Sequence, residues 1–247
     1  MSRLRAALFD VGGTLRPDGW LPPTDEDEVA RLEILMTELS LSNEGAVQLV
    51  EDLRLGAMKA VPNEALPTGE AQRTAEVIIA SLARIGRQGE EAQEIVRRAM
   101  GLLTVEESTF FPGALDLLRM THERGLRNVI VSNTFWKDGA SSALDFERMG
   151  IPELVDDYIT SLDVGFRKPN AAMFDGALAL AECDATECVF LGNVEELDII
   201  PASERGMRTI RVCIEETAPE RSRADAVVTS LADATEILGG WIDWQNE

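Results

Sequence analysis

Near the start of the chain, Ala6-Ala7-Leu8-Phe9 runs without a polar break and meets Asp10, followed closely by the pair Gly12-Gly13. An unbroken apolar run of this length fits a strand covered on both faces, as in a parallel sheet, better than a strand with one wet face. The acid falls where that strand ends. A carboxylate there is costly to desolvate unless a cation or hydrogen-bond donors meet it, and ligands of open α/β sheets gather at the carboxyl ends of strands. The glycines allow a tight loop whose backbone comes close to a ligand. A strand, a glycine turn and a solvated acid would read the same way, so this stretch alone leaves both readings open.

A chain of 247 residues has room for one large α/β domain, or for a core and a smaller second domain. With 44 acidic and 23 basic residues its net charge is −21, which argues against nucleic-acid and anionic-membrane surfaces. A small anionic substrate would need a local cationic pocket. Lys59, Lys137 and Lys168 are the only lysines, so a lysine at a motif position says more here than in a lysine-rich chain. Cys183, Cys188 and Cys213 lack the number and spacing of a disulfide framework or zinc site and read as buried thiols. Without a long apolar segment or a leader-like start, the expectation is a cytoplasmic protein.

Beyond Leu15, the stretch Arg16 to Pro23 reads as a linker. Four helical segments follow, at 25–39, 44–60, 70–85 and 89–103, with no strand among them. The last places Ala92, Ile95, Val96, Ala99, Met100 and Leu103 on one face. A linker at Ser108 to Gly113 then introduces alternation: helix 113–124, strand Asn128 to Val131, helix 139–149, strand Tyr158 to Thr160 and helix 170–182. Strands Cys188 to Leu191 and Arg208 to Val212 come next with a helix between them, then a short strand Ala226 to Val228 and a closing helix Leu231 to Leu238. Trp241 and Trp244 are expected to anchor packing. The pattern predicts an α/β protein, a Rossmann-like parallel sheet with helices on both faces built from 1–16 and 107–247. Residues 17–106 form a small all-helical domain inserted after the first strand, placed to cover the ligand end of the sheet.

Three further groups stand at predicted strand or helix ends. Ser132-Asn133-Thr134 offers a hydroxyl and turn amides to a phosphate oxygen, and equally suits a helix N-cap. Lys168 precedes Pro169 and a helix with Phe174, Ala177, Leu178 and Ala181 on one face. Gly192-Asn193 ends the CVFL strand, and Glu195, Glu196 and Asp198 follow as either oxygen ligands or helix-start acids.

The string Phe9-Asp10-x-x-Gly13-Thr14-Leu15 resembles the first motif of the haloacid dehalogenase-like hydrolases, usually Asp-x-Asp-Gly-Thr. Ser132, Lys168 and Gly192-Asn193 with Asp198 resemble the second, third and fourth in the same order, from about residue 4 to residue 212, and the helical insert stands where that family carries a cap. The resemblance implies that Asp10 attacks phosphorus and forms an aspartyl-phosphate. It also implies that Thr14, Ser132, Asn133 and Lys168 hold the substrate, a small phosphorylated molecule. Magnesium would lie between Asp10, the carbonyl of Gly12, Asp198 and Asn193.

Two positions depart from the pattern. Gly12 replaces the aspartate that protonates the leaving group, a loss that commonly costs about 10²- to 10⁴-fold in rate. Asn193 replaces an acid of the fourth motif, which leaves the metal less negative charge unless Glu195 or Glu196 reaches in. Three readings therefore stand: a magnesium-dependent phosphatase that is slow or limited to good leaving groups, a binding or regulatory protein without turnover, and a dehalogenase or phosphonatase. A phosphonatase would need a cap lysine, and Lys59 alone could serve. Arg16, Trp20, Phe135, Trp136 and Lys137 flank the expected pocket mouth and either touch substrate or pack the hinge. His122, at a helix end, is expected at the surface.

Overall fold

The computed structural model describes residues 2–17, 24–60 and 70–244; Trp20 and the linker residues 18–23 lie outside the described residues. The first strand is β1 (Ala6–Phe9), followed by helices α1 (Asp25–Glu38), α2 (Asn43–Ala60), α3 (Glu70–Arg84) and α4 (Glu90–Met100). Then come α5 (Ala114–Glu123), β2 (Arg127–Ser132), α6 (Gly139–Arg148), β3 (Asp157–Thr160), the short α7 (Ser161–Val164) and α8 (Ala171–Ala181). The chain closes with β4 (Cys188–Gly192), α9 (Ile200–Glu204), β5 (Arg208–Val212), β6 (Ala226–Val228) and α10 (Leu231–Trp244).

The six strands form one parallel sheet in the order β3-β2-β1-β4-β5-β6. β1 lies between β2 and β4, with Leu8 opposite both Val129 and Phe190, which explains why it is apolar on both faces. On one face Phe9, Ile130, Leu191 and Ile210 share a core with Leu117 and Leu118 of α5 and Leu238 of α10. On the other, Leu8, Val129, Met173, Phe174 and Phe190 pack with α8. Fully burying each such side chain contributes about 1.5–3 kcal/mol, so both layers hold the strand ends firmly in place.

Two helix ends differ from expectation, each for a tertiary reason. α10 continues through Gly239-Gly240 to Trp244, although each helical glycine costs about 1 kcal/mol relative to alanine. Ile242 is buried, Trp241 packs on the core, and the Arg208 guanidinium lies 5.2 Å from the Trp241 ring; that burial carries the helix on. The Trp244 side chain lies outside the described residues. α4 stops at Met100, leaving Leu103 beyond it, where buried Arg31 takes the Ala99 and Leu102 carbonyls at 3.0 and 2.7 Å.

Helices α1–α4 bury a cluster of their own, including Leu35, Leu49, Leu53, Ile78, Leu82 and Val96, and Trp136 from the loop after β2 packs against it. The chain enters this bundle at Thr24 and leaves it at Thr104. Asp27 ties both crossings together: Oδ2 accepts from the Thr24 and Thr104 amides at 3.0 Å each, and Oδ1 from the Thr104 hydroxyl at 2.7 Å. Among the described residues no helix is long and apolar enough to cross a membrane.

Burial raises the Asp27 carboxyl, but hydrogen bonds from Thr104 and Thr24 outweigh it and hold the group below its ordinary value. Losing them in Asp27→Ala is expected to lower the unfolding free energy by about 1–3 kcal/mol, measured by urea denaturation at neutral pH. A carboxyl depressed in the folded state contributes stability above its unfolded value of 3.8 and loses it as pH falls through the folded one. The gap between wild type and variant should therefore close below about pH 4; an unchanged gap there contradicts the clamp.

Candidate active site

At the end of β1 the chain turns sharply. The Asp10 amide donates to the Leu191 carbonyl at 2.9 Å, continuing the sheet ladder by one residue, and the Leu15 and Arg16 amides fold back onto the Val11 carbonyl at 2.9 and 3.1 Å. Gly13 takes φ +71°, and a Cβ there would fall 2.1 Å from Nδ2 of Asn193. Glycine is thus required both by backbone conformation and by the close approach of Asn193. Thr14, fully buried, donates its hydroxyl to Asp10 Oδ2 at 2.9 Å.

β4 ends in a second close approach. A Cβ on Gly192 would fall 2.4 Å from the Asp198 Cβ, so only glycine lets Asp198 fold back over the strand end. A single π-helical turn, Glu195–Ile199, carries Asp198 there, and its Oδ2 accepts from the Val194 amide at 3.0 Å. Such turns are rare and recur at functional sites.

Lys168 is held by its backbone. Asn133 accepts from the Lys168 amide at 2.8 Å and donates to the Lys168 carbonyl at 3.3 Å, and the Lys168–Pro169 peptide is cis. The ammonium then lies 2.6 Å from Asp10 Oδ1 and 2.7 Å from Asp198 Oδ1, with the Phe190 ring 5.6 Å away. Both carboxylate contacts are ion pairs at hydrogen-bond distance. Exposure is 7% at Asp10, 3% at Lys168 and 1% at Asp198, so these charges interact with little solvent screening.

Burial is the main reason the Asp10 carboxyl is pushed up to about 6; Asp198 adds to it, while Lys168 and Thr14 oppose it. For Lys168 burial favours loss of the proton, but Asp10 and Asp198 outweigh it and hold the amine above its ordinary value. With all three ionised the cluster carries one net negative charge, which suits a cation.

The structure brings Asp10, Thr14, Lys168 and Asp198 together and packs the Asn193 amide against the Gly13 turn. Ser132, half-buried, ends β2, whose Ile130 pairs with Phe9, so its hydroxyl stands at the same sheet end. Gly12 lies on the turn itself. Glu195 is committed elsewhere, to Arg211 at 2.9 Å, the Ser222 hydroxyl at 2.6 Å and the Arg223 amide at 2.7 Å, and Glu196 is exposed. Neither reaches in to Asp10. Among the described residues no group of three or more His, Cys, Asp or Glu side chains is placed to hold a metal. Phe135 is buried, edge-on to Trp136 at 4.7 Å, while Lys59 and His122 are exposed. A cavity of about 360 Å³ opens at the opposite end of the strands, beside Arg3, Arg5, Arg124 and Arg127.

Sequence reasoning missed how the loops after β2 and β3 lock together. The Ser161 hydroxyl donates to the Thr134 carbonyl at 2.8 Å, and Asp163 accepts from the Gly139 amide at 3.0 Å. Thr160-x-x-Asp163 is a capping box, so a local signal for that turn was present.

The family profile of the haloacid dehalogenase-like hydrolases matches residues 4–204. A glyceraldehyde 3-phosphate phosphatase from Methanothermobacter thermautotrophicus is 30% identical over 161 residues, 61% of this chain and 69% of that one. A ribulose-1,5-bisphosphate 5-phosphatase from Halopiger xanaduensis is 30% identical over 125 residues, spanning 51% of each chain. Among solved structures, a 2-haloacid dehalogenase from Pseudomonas syringae pv. Tomato DC3000 superposes with a TM-score of 0.60 at 21% identity, covering 96% of this chain and 99% of that one. A phosphatase from Thermococcus onnurineus gives 0.56 at 18% identity, with 96% and 99% covered. At such identities the structural likeness concerns the fold alone.

Gly13→Ala is expected to destabilise the protein by about 1–3 kcal/mol in thermal unfolding, combining left-handed strain with the clash. Adding Asn193→Ala should restore only part of that loss, because it removes the clash and leaves the strain; full restoration contradicts the strain, and no restoration contradicts the contact.

In the metal-free protein, carbon NMR of the Asp10 carboxyl should show a midpoint near pH 6. Because the folded state binds this proton more tightly than the unfolded one, Asp10 lowers stability as pH rises from about 4 to 6. Lys168→Met should move the midpoint upward, and a downward move contradicts the pairing.

Proposed function

Because the chain belongs to the haloacid dehalogenase-like hydrolases, we propose that it is a phosphatase of small phosphorylated metabolites with Asp10 as its nucleophile. The observation that carries this reading is the buried ammonium of Lys168 lying 2.6 Å from Asp10 and 2.7 Å from Asp198. The phosphatase names of the two sequence relatives support a small phosphorylated sugar or a relative of one as substrate.

In this mechanism the Asp10 carboxylate attacks phosphorus, the bond to the ester oxygen breaks, and an aspartyl-phosphate forms. The Lys168 ammonium offsets repulsion between carboxylate and phosphate, the Ser132 hydroxyl donates to a phosphate oxygen, and Thr14 keeps Asp10 oriented. Water then hydrolyses the acyl-phosphate, releasing phosphate and restoring Asp10. Gly12 brings no proton to the departing oxygen, so the reaction favours esters whose alcohol leaves readily.

The donor set fits magnesium: two carboxylates, the Asn193 amide oxygen and the Gly12 carbonyl are hard oxygen ligands, and with Lys168 the two carboxylates leave the cluster one net negative charge. Asp10, Gly12, Asn193 and Asp198 would hold the ion, which when bound supplies charge neutralisation at the phosphate. A division into an α/β core and a helical cap over Asp10 belongs to the same proposal, supported by the separate core of α1–α4 and by Trp136 packing on it. A second reading, a ligand-binding protein without turnover, is favoured by Gly12 and by the commitment of Glu195 to Arg211. Exposed Lys59 offers no sheltered amine for phosphonatase chemistry.

An aryl-phosphate assay with magnesium decides between them. Turnover by the wild type is expected, falling at least about 10³-fold in Asp10→Asn and to background with EDTA. Gly12→Asp should raise turnover of alkyl phosphates, whose leaving groups need protonation, by about 10²-fold or more. Activity surviving in Asp10→Asn contradicts the proposal, and an inert wild type awakened by Gly12→Asp favours the second reading.

A further inference from the structure

Beside the Asp10 cluster lies a second set of buried charges that the chemistry above does not use. The Lys137 ammonium lies 2.5 Å from Asp145 Oδ2, and these side chains are 13% and 10% exposed. The other oxygen of Asp145 is buried with no hydrogen-bond partner among the described residues. Arg16 stands on the nucleophile turn itself, its amide bonded to the Val11 carbonyl at 3.1 Å and its carbonyl to the Gly13 amide at 2.7 Å. Among the described residues its guanidinium makes no hydrogen bond or ion pair, yet it lies in the fields of both Asp145 and Asp10. Arg16 thus stands on the turn that carries Asp10, within electrostatic reach of the Lys137–Asp145 pair.

Charge balance states what such a place accepts. Asp10, Lys168 and Asp198 sum to −1, which a cation and the transferred phosphate would use. Lys137 already meets the Asp145 carboxylate, which also lies in the fields of Arg16 and Arg148, so among the described residues the Arg16 guanidinium keeps its hydrogen-bond donors unspent. In a chain of net charge −21, a half-buried guanidinium with five donors and no acceptor is an unusual feature to leave open.

We propose that Arg16, backed by the Lys137–Asp145 pair, binds a second anionic group on the alcohol portion of the substrate, a carboxylate or a second phosphate. Guanidinium geometry matches either oxyanion in bidentate fashion. This inference rests on the phosphatase reading, and it names the substrate class as phosphate monoesters that carry another oxyanion.

The test compares kcat/KM of wild type, Arg16→Gln and Arg16→Lys on a phosphorylated hydroxy acid, a sugar bisphosphate and glycerol phosphate, whose alcohol portion is neutral. The wild type should prefer one or both of the doubly anionic esters at least about tenfold over glycerol phosphate. Arg16→Gln should erase that preference through KM, while Arg16→Lys keeps part of it, and the ester with the larger loss identifies the oxyanion. A wild type that treats all three alike, or an Arg16→Gln loss equal on all three, overturns the inference. If no ester is turned over, the phosphatase reading fails separately, and calorimetry with the hydroxy-acid phosphate still decides. Binding by wild type that Arg16→Gln loses and Arg16→Lys retains supports the anion site, and binding that is absent or indifferent to Arg16 overturns it.

Discussion

One ammonium group, almost wholly out of water, holds two carboxylates, one at the end of β1 and one on the turn after β4. Bringing three charges into a protein interior costs several kcal/mol per ion, and mutual attraction offsets it only with good geometry and further hydrogen bonds. The surrounding structure supplies those bonds. Thr14 donates to Asp10, the Val194 amide donates to Asp198, and Asn133 grips Lys168 by its backbone on both sides. Two glycines, at 13 and 192, let side chains of the β4 loop approach where any Cβ would collide. So much local specification around a costly cluster is understandable if the cluster reacts, since apolar residues would stabilise the same volume more simply.

The parallel sheet makes this convergence possible. β1, β2 and β4 are adjacent and point the same way, so Asp10, Ser132 and the Gly192 loop emerge together at one edge. The four-helix insert leaves and re-enters at that edge. Asp27 fastens its entry to its exit, and Trp136 joins the loop after β2 to its core, so the bundle is coupled to the sheet end that carries Asp10 and Ser132.

What could be read in the residues alone follows from range. β1 stands where its apolar run predicted, because a buried parallel strand writes itself as a continuous hydrophobic segment, and β5 and β6 keep their expected bounds although β5 is mixed in polarity and Val227 of β6 is exposed. Asp10, Lys168 and Asp198 were found because each sits at a strand or helix boundary with distinctive neighbours. The Asn133 clasp was not, since an asparagine after a strand reads equally as a helix cap. The commitment of Glu195 to Arg211, Ser222 and Arg223 joins residues 16 to 28 apart and left no local mark. Nor did the pairing of Lys137 with Asp145 beside Arg16, whose meaning depends on how the turn after β1 meets α6. The extension of α10 through two glycines shows burial overriding local preference.

The central claim is that the carboxylate held by Lys168 is the group that takes phosphate. Borohydride added during turnover of an aryl phosphate reduces an acyl-phosphate to the corresponding alcohol, and peptide mass spectrometry locates the change. The account predicts reduction at Asp10 that requires substrate and disappears in Lys168→Met. Phosphate release with Asp10 left intact, or reduction at another carboxylate, would contradict it.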